Sequence, residues 1–302
     1  MRQTGFALLF ASVILGVFLL IPQGYAVPTV SSTDMETATS TTPTPFTKAP
    51  ITAKAAIVYD LTTEQVLFAK NADAQLPLAS LTKILTVYAA VATLGTDATV
   101  TIPEDATRVD APRLFQTGQT FALSDLAELT LTASLNDGAA AIASATAAYE
   151  QRSTYDALAG AAAALNLSQT YAVNGSGLDV SPSTSGGYGS AYDLARLSGA
   201  LVATAPAIAQ ATTQMEISAA SENGRSFTVK NTDPMVGSFP RLLLSKTGYT
   251  DLAGGNLALV FDVGIGHPVA VVVLGSTKKE RFTDASALVS ATFAHFAGVP
   301  SL

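Results

Sequence analysis

Lys83 is the only charged residue between Asp73 and Asp97. It lies in the run Ser80–Leu94, whose other positions are nearly all apolar, Ala or Thr, a pattern that predicts a helix buried on all sides. Residues three apart share a helix face, so the Ser80 hydroxyl and the Lys83 amine can come within hydrogen-bond distance. Because burial disfavours the ammonium form of lysine, Lys83 can serve as a base toward Ser80. The two residues are a candidate nucleophile and base.

The same residues also have a purely structural interpretation. Ser80 can cap the helix N-terminus while Lys83 extends its amine from a core helix toward solvent. The Ser-x-x-Lys spacing recurs at Ser276–Lys279, beside Lys278 at a predicted strand end, where solvated surface is expected. The spacing alone therefore leaves both interpretations open.

Two further polar motifs accompany this pair. Ser134-Leu135-Asn136 falls between two predicted helices, where a loop can present a hydroxyl and an amide to a cleft. Lys246-Thr247-Gly248 ends a predicted strand and offers a cation and a donor for a carboxylate, with a glycine that permits close backbone approach. A second Ser-x-Asn, Ser221-Glu222-Asn223, precedes Gly224 as an ordinary turn, so the tripeptide is weak by itself.

Elements of two kinds must position these motifs. Two short strands predict a hairpin at the start of the domain: Lys54–Tyr59 and Gln65–Ala69. Ala- and Leu-rich runs then predict helices at Ser80–Leu94, Ser124–Ala133, Asn136–Tyr149, Thr154–Leu165 and Ala191–Ala203. Strands are predicted again at Ser226–Lys230, Arg241–Lys246, Asn256–Val263 and Val269–Leu274. A last helix is predicted at Lys279–Phe296. The order predicts an α+β fold, an antiparallel sheet completed by both chain ends with an inserted helical lobe.

The composition excludes several classes of function. The 302 residues include 16 Lys and Arg against 23 Asp and Glu, a net charge of −7 that argues against a nucleic-acid-binding surface. With 48% hydrophobic and 13% charged residues, the chain is expected to fold. The absence of cysteine excludes thiol chemistry, and His267 and His295 are too few for a histidine-built zinc site, so no metal is predicted.

The N-terminal residues predict export. Arg2 precedes the apolar run Phe6–Ile21, and Gly24-Tyr25-Ala26 offers the small residues that a signal peptidase requires. The length of the run lies between a signal region and a membrane span, so residues 1–26 are predicted to be a signal peptide or a retained N-terminal membrane anchor. The Ser-, Thr- and Pro-rich composition of residues 27–53 predicts a linker, followed by one folded catalytic domain over residues 54–302.

The three motifs occur in the order and approximate spacing of the penicillin-recognising serine enzymes. Four longer stretches resemble the low-molecular-mass, serine-type D-alanyl-D-alanine carboxypeptidases, peptidase family S11 of the β-lactamase/DD-peptidase superfamily: Pro77–Lys83, Ser134–Asp137, Ser190–Ala195 and Lys246–Asp251. The resemblance implies a five-stranded antiparallel sheet flanked by helices, with an all-helical lobe and no metal or organic cofactor.

The resemblance also implies the role of each site residue. Ser80 would be the acylated nucleophile and Lys83 its base, while Ser134 would relay protons and Asn136 would bind the substrate backbone. Lys246 and Thr247 would hold a terminal carboxylate beside Gly248, and the backbone N–H groups of Ser80 and Tyr249 would form an oxyanion hole. The family usually has glycine where this chain has Leu135, which puts the geometry of that loop in question.

The function implied is removal of the terminal D-alanine from peptidoglycan stem peptides outside the cytoplasm, at the cell wall or the outer face of the cytoplasmic membrane, with β-lactam antibiotics as inhibitors. Three alternatives stay open: a D,D-endopeptidase of the same family, a β-lactamase and a non-catalytic wall-binding module. A β-lactamase is disfavoured because Ala162 stands where a deacylating glutamate would precede Leu165-Asn166. A Ser-His-Asp hydrolase is disfavoured because no Gly-x-Ser-x-Gly motif exists.

Overall fold

Strands from both ends of the described chain meet in one five-stranded sheet. The structure, a computed structural model, describes residues 45–298. Its strands are β1 (Ala55–Asp60), β2 (Gln65–Lys70), β3 (Leu76–Pro77), β4 (Thr99–Thr101), β5 (Thr120–Ala122), β6 (Tyr171–Ala172), β7 (Gly187–Gly189), β8 (Glu216–Ala220), β9 (Ser226–Lys230), β10 (Leu242–Thr250), β11 (Gly254–Asp262) and β12 (Pro268–Ser276). The large sheet has the order β10-β11-β12-β1-β2 with every neighbouring pair antiparallel, which confirms the predicted sheet.

Helices fill the chain between β2 and β10 and also close it. They are α1 (Thr82–Leu94), α2 (Leu123–Ala133), α3 (Asn136–Glu150), α4 (Thr154–Ala164), α5 (Ala191–Thr204), α6 (Pro206–Ala211) and α7 (Glu280–Phe296). Helices α1 to α4 build the lobe that precedes α5, while α5 and α7 pack against strands of the sheet. The predicted α+β architecture is confirmed.

The three central strands of the sheet, β1, β11 and β12, are buried on both faces, because their alternate residues enter different hydrophobic clusters. Ile57 of β1 belongs to the larger cluster, which includes the helical lobe. Its neighbour Val58 belongs to a second cluster that includes Leu288 and Val289 of α7. This explains why the β1 sequence shows no polar alternation. The resulting central sheet is a rigid support for residues that its strands present at an edge.

The domain begins before the predicted position. Phe46 is 5% exposed and packs on Phe68 and His295, and the backbone N–H of Ala53 donates to Asp284. Residues 45–53, predicted as the end of the linker, therefore belong to the folded body in this structure. The predictions for residues 1–44 lie outside the described residues. Between residues 45 and 298, no helix is long and apolar enough to cross a membrane.

The elements that the sequence did not predict are mostly very short. They are β3 to β8 and α6, together with single turns of 3-10 helix. Strands of two or three residues carry no measurable periodicity, because the antiparallel partner and not the local sequence selects them. One boundary differs by several residues: the strand predicted to end at Lys246 continues as β10 through Thr247 and Gly248 to Thr250.

Candidate active site

The candidate nucleophile lies in a tight turn that is fastened to the sheet. Ser80 sits in a 3-10 turn over Ala79–Leu81, immediately before α1, and Ala79 has a left-handed backbone with φ of 49°. The side-chain amide of Asn256 in β11 donates to the carbonyl oxygens of Pro77 and Leu78, both at 3.0 Å. This buried amide fixes the approach to the turn, so strain at Ala79 is held by the surrounding structure.

The Lys83 amine is fully buried and makes three hydrogen bonds. It donates to Ser80 Oγ at 2.9 Å, to Asn136 Oδ1 at 2.7 Å and to the Ser176 carbonyl at 2.8 Å. The Lys83 side chain thus connects Ser80 of the first predicted motif with Asn136 of the second. The interpretation of Lys83 as a lysine that extends to solvent is excluded by this placement.

The environment of Lys83 favours a neutral amine. Burial, together with the positive charge of Lys246, holds the pKa of Lys83 well below its ordinary value, against the opposing effect of Asp137. The ammonium form can donate to all three oxygens. The neutral form keeps two N–H groups for Asn136 Oδ1 and the Ser176 carbonyl, and its lone pair can accept the proton of Ser80 Oγ. The pair therefore has both the distance and the protonation state that nucleophile activation requires.

The second motif joins two helices as predicted. Ser134 ends α2 with φ of 58°, Leu135 caps α3, and Asn136 is the first residue of α3. The Asn136 amide donates to the carbonyl oxygens of Asp110 and Ala111, which turns its own oxygen toward Lys83. Among the described residues, the Ser134 hydroxyl has no hydrogen-bond partner, so the structure brings Asn136 but not Ser134 into contact with Lys83.

Leu135 does not disturb this loop. Its φ of −69° and ψ of 129° are extended backbone that any residue adopts, so the position does not require glycine. Its side chain is 5% exposed and belongs to the large hydrophobic cluster. The leucine therefore anchors the loop by burial.

The third motif lies on β10, the edge strand of the large sheet, directly beside the nucleophile turn. A methyl group added to Gly248 would lie 2.9 Å from the Leu78 carbonyl oxygen and 3.3 Å from the Ser80 backbone nitrogen. Only glycine allows the strand to approach the turn so closely. Tyr249 follows with a half-exposed ring covered by Lys278, 5.2 Å from the ring centre.

Replacing Gly248 by alanine should separate the strand from the turn. The added Cβ meets backbone atoms, which cannot rotate away as a side chain would. We expect penicillin acylation to fall about 100-fold, since a shift of about 1 Å in a reacting geometry has that cost. Acylation rates followed by intact-mass spectrometry measure this. The control is Gly237→Ala, where nothing lies within 4 Å of the new methyl group, and an equal loss in both variants would contradict the explanation.

Two buried cations, Lys246 and Arg281, lie next to the backbone of the third motif. Lys246 is 1% exposed and donates to the Thr247 carbonyl, while Arg281 of α7 is 6% exposed and donates to the Gly248 carbonyl at 2.6 Å. Burial and the charge of Arg281 lower the pKa of Lys246 to about 7, against the effect of Asp233. This pair of cations beside a hydroxyl is suited to an anionic group such as a carboxylate.

A family model described as Peptidase S11, D-alanyl-D-alanine carboxypeptidase, matches residues 38–278. The chain belongs to peptidase family S11. This confirms the resemblance identified from the motifs. It disfavours a Ser-His-Asp hydrolase: His267 hydrogen-bonds Asp60 at 2.9 Å, and among the described residues no serine hydroxyl hydrogen-bonds the His267 ring.

Curated relatives of this S11 chain are carboxypeptidases from two bacteria. D-alanyl-D-alanine carboxypeptidase DacF of Bacillus subtilis is 27% identical over 250 residues, 81% of this chain and 63% of the relative. DacB2 of Mycobacterium tuberculosis is 31% identical over 198 residues, 65% of this chain and 66% of the relative. The chain thus spans slightly less than two thirds of the length of these relatives.

A solved structure shares the fold of the S11 chain. Penicillin-binding protein D2 from Listeria monocytogenes, in an ampicillin-bound form, is 27% identical with a TM-score of 0.67. The similarity covers 80% of this chain and 98% of that one. The fold of this chain is therefore similar to that of a protein whose structure is known in an ampicillin-bound form.

Several site residues of this S11 chain were not found from the sequence. Asn174-Gly175-Ser176-Gly177 has the composition of an ordinary loop, yet its Ser176 carbonyl binds Lys83 and its Gly175 carbonyl accepts from Thr86. Asn174 Oδ1 accepts from three groups of Ser176 and Gly177 and so shapes this loop. Backbone acceptors have no side-chain signature, so only the fold shows them. Asn256, Asp233 and Arg281 were missed for a similar reason, since each is distant in sequence from the motif it contacts.

The second Ser-x-x-Lys is structural. Ser276 Oγ donates to Asp284 at 2.8 Å, and Lys279 is exposed. The two residues do not contact one another, because the strand ends at Ser276 and the helix begins only at Glu280. Within residues 45–298, no group of three or more His, Asp or Glu side chains is placed to hold a metal ion.

Proposed function

We propose that this protein is a serine-type D-alanyl-D-alanine carboxypeptidase that acts on peptidoglycan stem peptides through an acyl-enzyme on Ser80. The observation that carries the proposal is the 2.9 Å hydrogen bond between Ser80 Oγ and a fully buried Lys83 amine whose pKa is lowered. Membership of peptidase family S11 and the activity named for its curated relatives support the same reaction.

Acylation begins when Lys83 Nζ takes the proton of Ser80 Oγ. The oxygen forms a bond to the carbonyl carbon of the penultimate D-alanine, and the carbonyl oxygen becomes an oxyanion. The backbone N–H groups of Ser80 and Tyr249 are proposed to donate to it, each worth about 3 kcal/mol in the transition state. The close approach of Gly248 to the Ser80 turn supports this pairing.

The leaving group and the substrate backbone are assigned to the second motif. The peptide C–N bond breaks, and the proton that Lys83 took from Ser80 passes through the Ser134 hydroxyl, which no other described group engages, to the leaving amine. Asn136, whose two amide N–H groups donate to backbone carbonyls, accepts from a substrate backbone N–H through its Oδ1. Water then hydrolyses the ester on Ser80, which returns the free serine and the shortened peptide.

The terminal carboxylate of D-alanine is assigned to the third motif. Lys246 and Thr247 hold it, and Gly248 gives it room beside the turn. A penicillin also carries a carboxylate next to its reactive amide and is proposed to acylate Ser80 in the same way. Ampicillin is bound in the solved structure of penicillin-binding protein D2.

Two observations disfavour rapid penicillin hydrolysis. Ala162, which stands where a deacylating glutamate would, has no carboxyl group, and none of the hydrogen-bond partners of Lys83 is a carboxylate. The third partner of Lys83 is a backbone carbonyl, that of Ser176. We therefore propose a persistent penicillin adduct and do not propose a β-lactamase.

Location follows from the sequence of the N-terminal segment. Residues 1–26 are proposed to export the chain, either as a cleaved signal peptide or as a retained anchor, and the Ser-, Thr- and Pro-rich residues that follow are proposed to tether the domain. The enzyme would then meet peptidoglycan outside the cytoplasmic membrane.

The test combines a substrate and an inhibitor on the full-length protein. Incubation with diacetyl-L-Lys-D-Ala-D-Ala should release free D-alanine, and benzylpenicillin should leave one persistent adduct on the peptide that contains Ser80. Mass spectrometry measures both. No adduct with intact antibiotic would favour a wall-binding module, and no adduct with consumed antibiotic would favour a β-lactamase.

A further inference from the structure

A short segment next to the third motif connects three parts of the site. The Asn231 amide donates to the carbonyl oxygens of Thr212 and Gln214, which fasten it beyond α6. The Thr232 backbone N–H donates to the Thr132 carbonyl near the end of α2, and its hydroxyl lies 2.6 Å from that of Thr247. Residues 231–233 are therefore held against the third motif and against the end of α2, two residues before the second motif.

Asp233 ends this segment and is completely buried. Its Oδ2 accepts from Ser245 Oγ at 2.6 Å, and its Oδ1 accepts from the backbone N–H of Met235 at 2.7 Å. Its own N–H donates to Asn231 Oδ1. Ser245 directly precedes Lys246, so the carboxylate is fixed to β10 one residue from the buried amine.

The charges around Asp233 come from three elements. Arg281 on α7 and Lys246 on β10 both act on its carboxyl, and Asp233 acts on each of them in return. Lys246 acts in turn on Lys83 of α1, and Tyr249 acts on Arg281. In this cluster Asp233 is the carboxyl that acts to raise the pKa of both buried cations, Lys246 and Arg281.

The carboxylate does not serve as a direct ligand in the proposed reaction. Both of its oxygens accept hydrogen bonds from neighbouring protein groups, and no part of it is exposed. Its effect on a substrate therefore acts through the charge of its neighbours. Burial raises the pKa of Asp233, and the Ser245 and Met235 hydrogen bonds oppose this, so its negative charge depends on those two donors.

We propose that Asp233 is a positioning residue that keeps Lys246 protonated and thereby sets the pH range in which the site binds a terminal carboxylate. This inference rests on the proposed function only for the identity of the bound group. The direction follows from simple electrostatics: a nearby anion stabilises the ammonium form, so its removal makes Lys246 lose its proton at lower pH. Carboxylate binding would then fail at lower pH as well.

The primary test measures the proton on Lys246 directly. The full-length protein and its Asp233→Asn variant are labelled at the lysine side-chain carbons and titrated by NMR, with Lys246→Met to assign the signal. The Lys246 midpoint should move measurably to lower pH in Asp233→Asn, as expected for loss of a nearby opposite charge. An unchanged midpoint would overturn the inference, whatever the activity of the protein.

Two further variants separate charge from loosened packing. Asp284→Asn removes another buried carboxylate from α7, one that binds Ser276, Thr52 and Ala53, and should leave the Lys246 midpoint unchanged. Ser245→Ala keeps the Asp233 carboxyl but removes one of its donors, and should lower the midpoint by less. It also replaces Asp233→Asn if that variant fails to fold. Equal shifts in Asp284→Asn and Asp233→Asn would overturn the inference.

The same variants separate this inference from the proposed function. If wild-type protein is acylated by benzylpenicillin, the alkaline limb of the acylation profile should move to lower pH in Asp233→Asn, and the two profiles should converge at acid pH, where Lys246 is protonated in both. If wild-type protein is not acylated, the proposed function fails, while the NMR titration still decides the role of Asp233.

Discussion

Replacing Ser80 by alanine should abolish both the benzylpenicillin adduct and the release of D-alanine. The hydroxyl is the atom that would be acylated, and alanine leaves no nucleophile within reach of Lys83 Nζ. The change removes one oxygen from a turn held by Asn256 and by the backbone, so the fold should persist. Intact-mass spectrometry and a thermal melt measure the two effects separately.

The control for this variant is the second Ser-x-x-Lys in the chain. Ser276→Ala removes a hydroxyl bound to Asp284 and lowers stability, yet it should keep the full penicillin adduct because Ser276 takes no part in the cleft. An adduct that survives Ser80→Ala, or one that disappears in a folded Ser276→Ala protein, would refute the assignment of Ser80.

The comparison of the two Ser-x-x-Lys sequences shows what spacing can and cannot predict. Both share one pattern, but only Lys83 lies on a buried apolar helix, with Ser80 in the 3-10 turn that leads into it, and the burial of that helix was visible in the sequence. Ser276 and Lys279 lie across a strand end and a helix start, where three residues do not complete a helical turn. The surrounding hydrophobicity therefore discriminated between them, and the motif alone did not.

The long elements were predicted because each carries many periodic residues. Helices α1 to α5 and the strands of the large sheet lie close to their predicted positions, apart from a few residues at their ends. The predicted end of β10 was wrong because Lys246-Thr247-Gly248 has the composition of a turn. Pairing with β11 continues through Thr250, and these hydrogen bonds override the local preference of glycine.

The groups that support the site could not be predicted from the sequence, for a different reason. Asn256 and Asp233 reach their partners only after the sheet forms, and Ser176 contributes a backbone carbonyl. Such contacts depend on the fold and not on residue type or spacing. Motifs thus predicted the reacting groups, while the structure was needed for the groups that orient and charge them.

Replacing Lys83 should cause the second large loss of acylation rate. The change in the pH profile of acylation should identify Lys83 as the base. Lys83→Arg places a permanently charged guanidinium beside Ser80, and Lys83→Gln provides no base, so acylation should fall about 100- to 10,000-fold in both. In wild-type protein, acylation should rise with pH as Lys83 loses its proton through its lowered pKa. It should decline as Lys246 is deprotonated at a pKa of about 7.

The acylation profile of the wild-type protein should thus have an acid limb from Lys83 and an alkaline limb from Lys246, and replacing Lys83 should remove only the acid limb. In Lys83→Gln the acid limb should disappear, because no amine titrates beside Ser80, while the residual rate still declines at alkaline pH with Lys246. Lys279→Gln, the equivalent change in the second Ser-x-x-Lys, should keep the complete wild-type profile because Lys279 is exposed. A persistent acid limb in Lys83→Gln, or a rate near wild type in Lys83→Arg, would mean that another group takes the proton. The three hydrogen-bond partners of Lys83 Nζ are oxygen atoms, two of side chains and one of the backbone. Lys83 is therefore the only basic nitrogen that these contacts bring to the Ser80 hydroxyl.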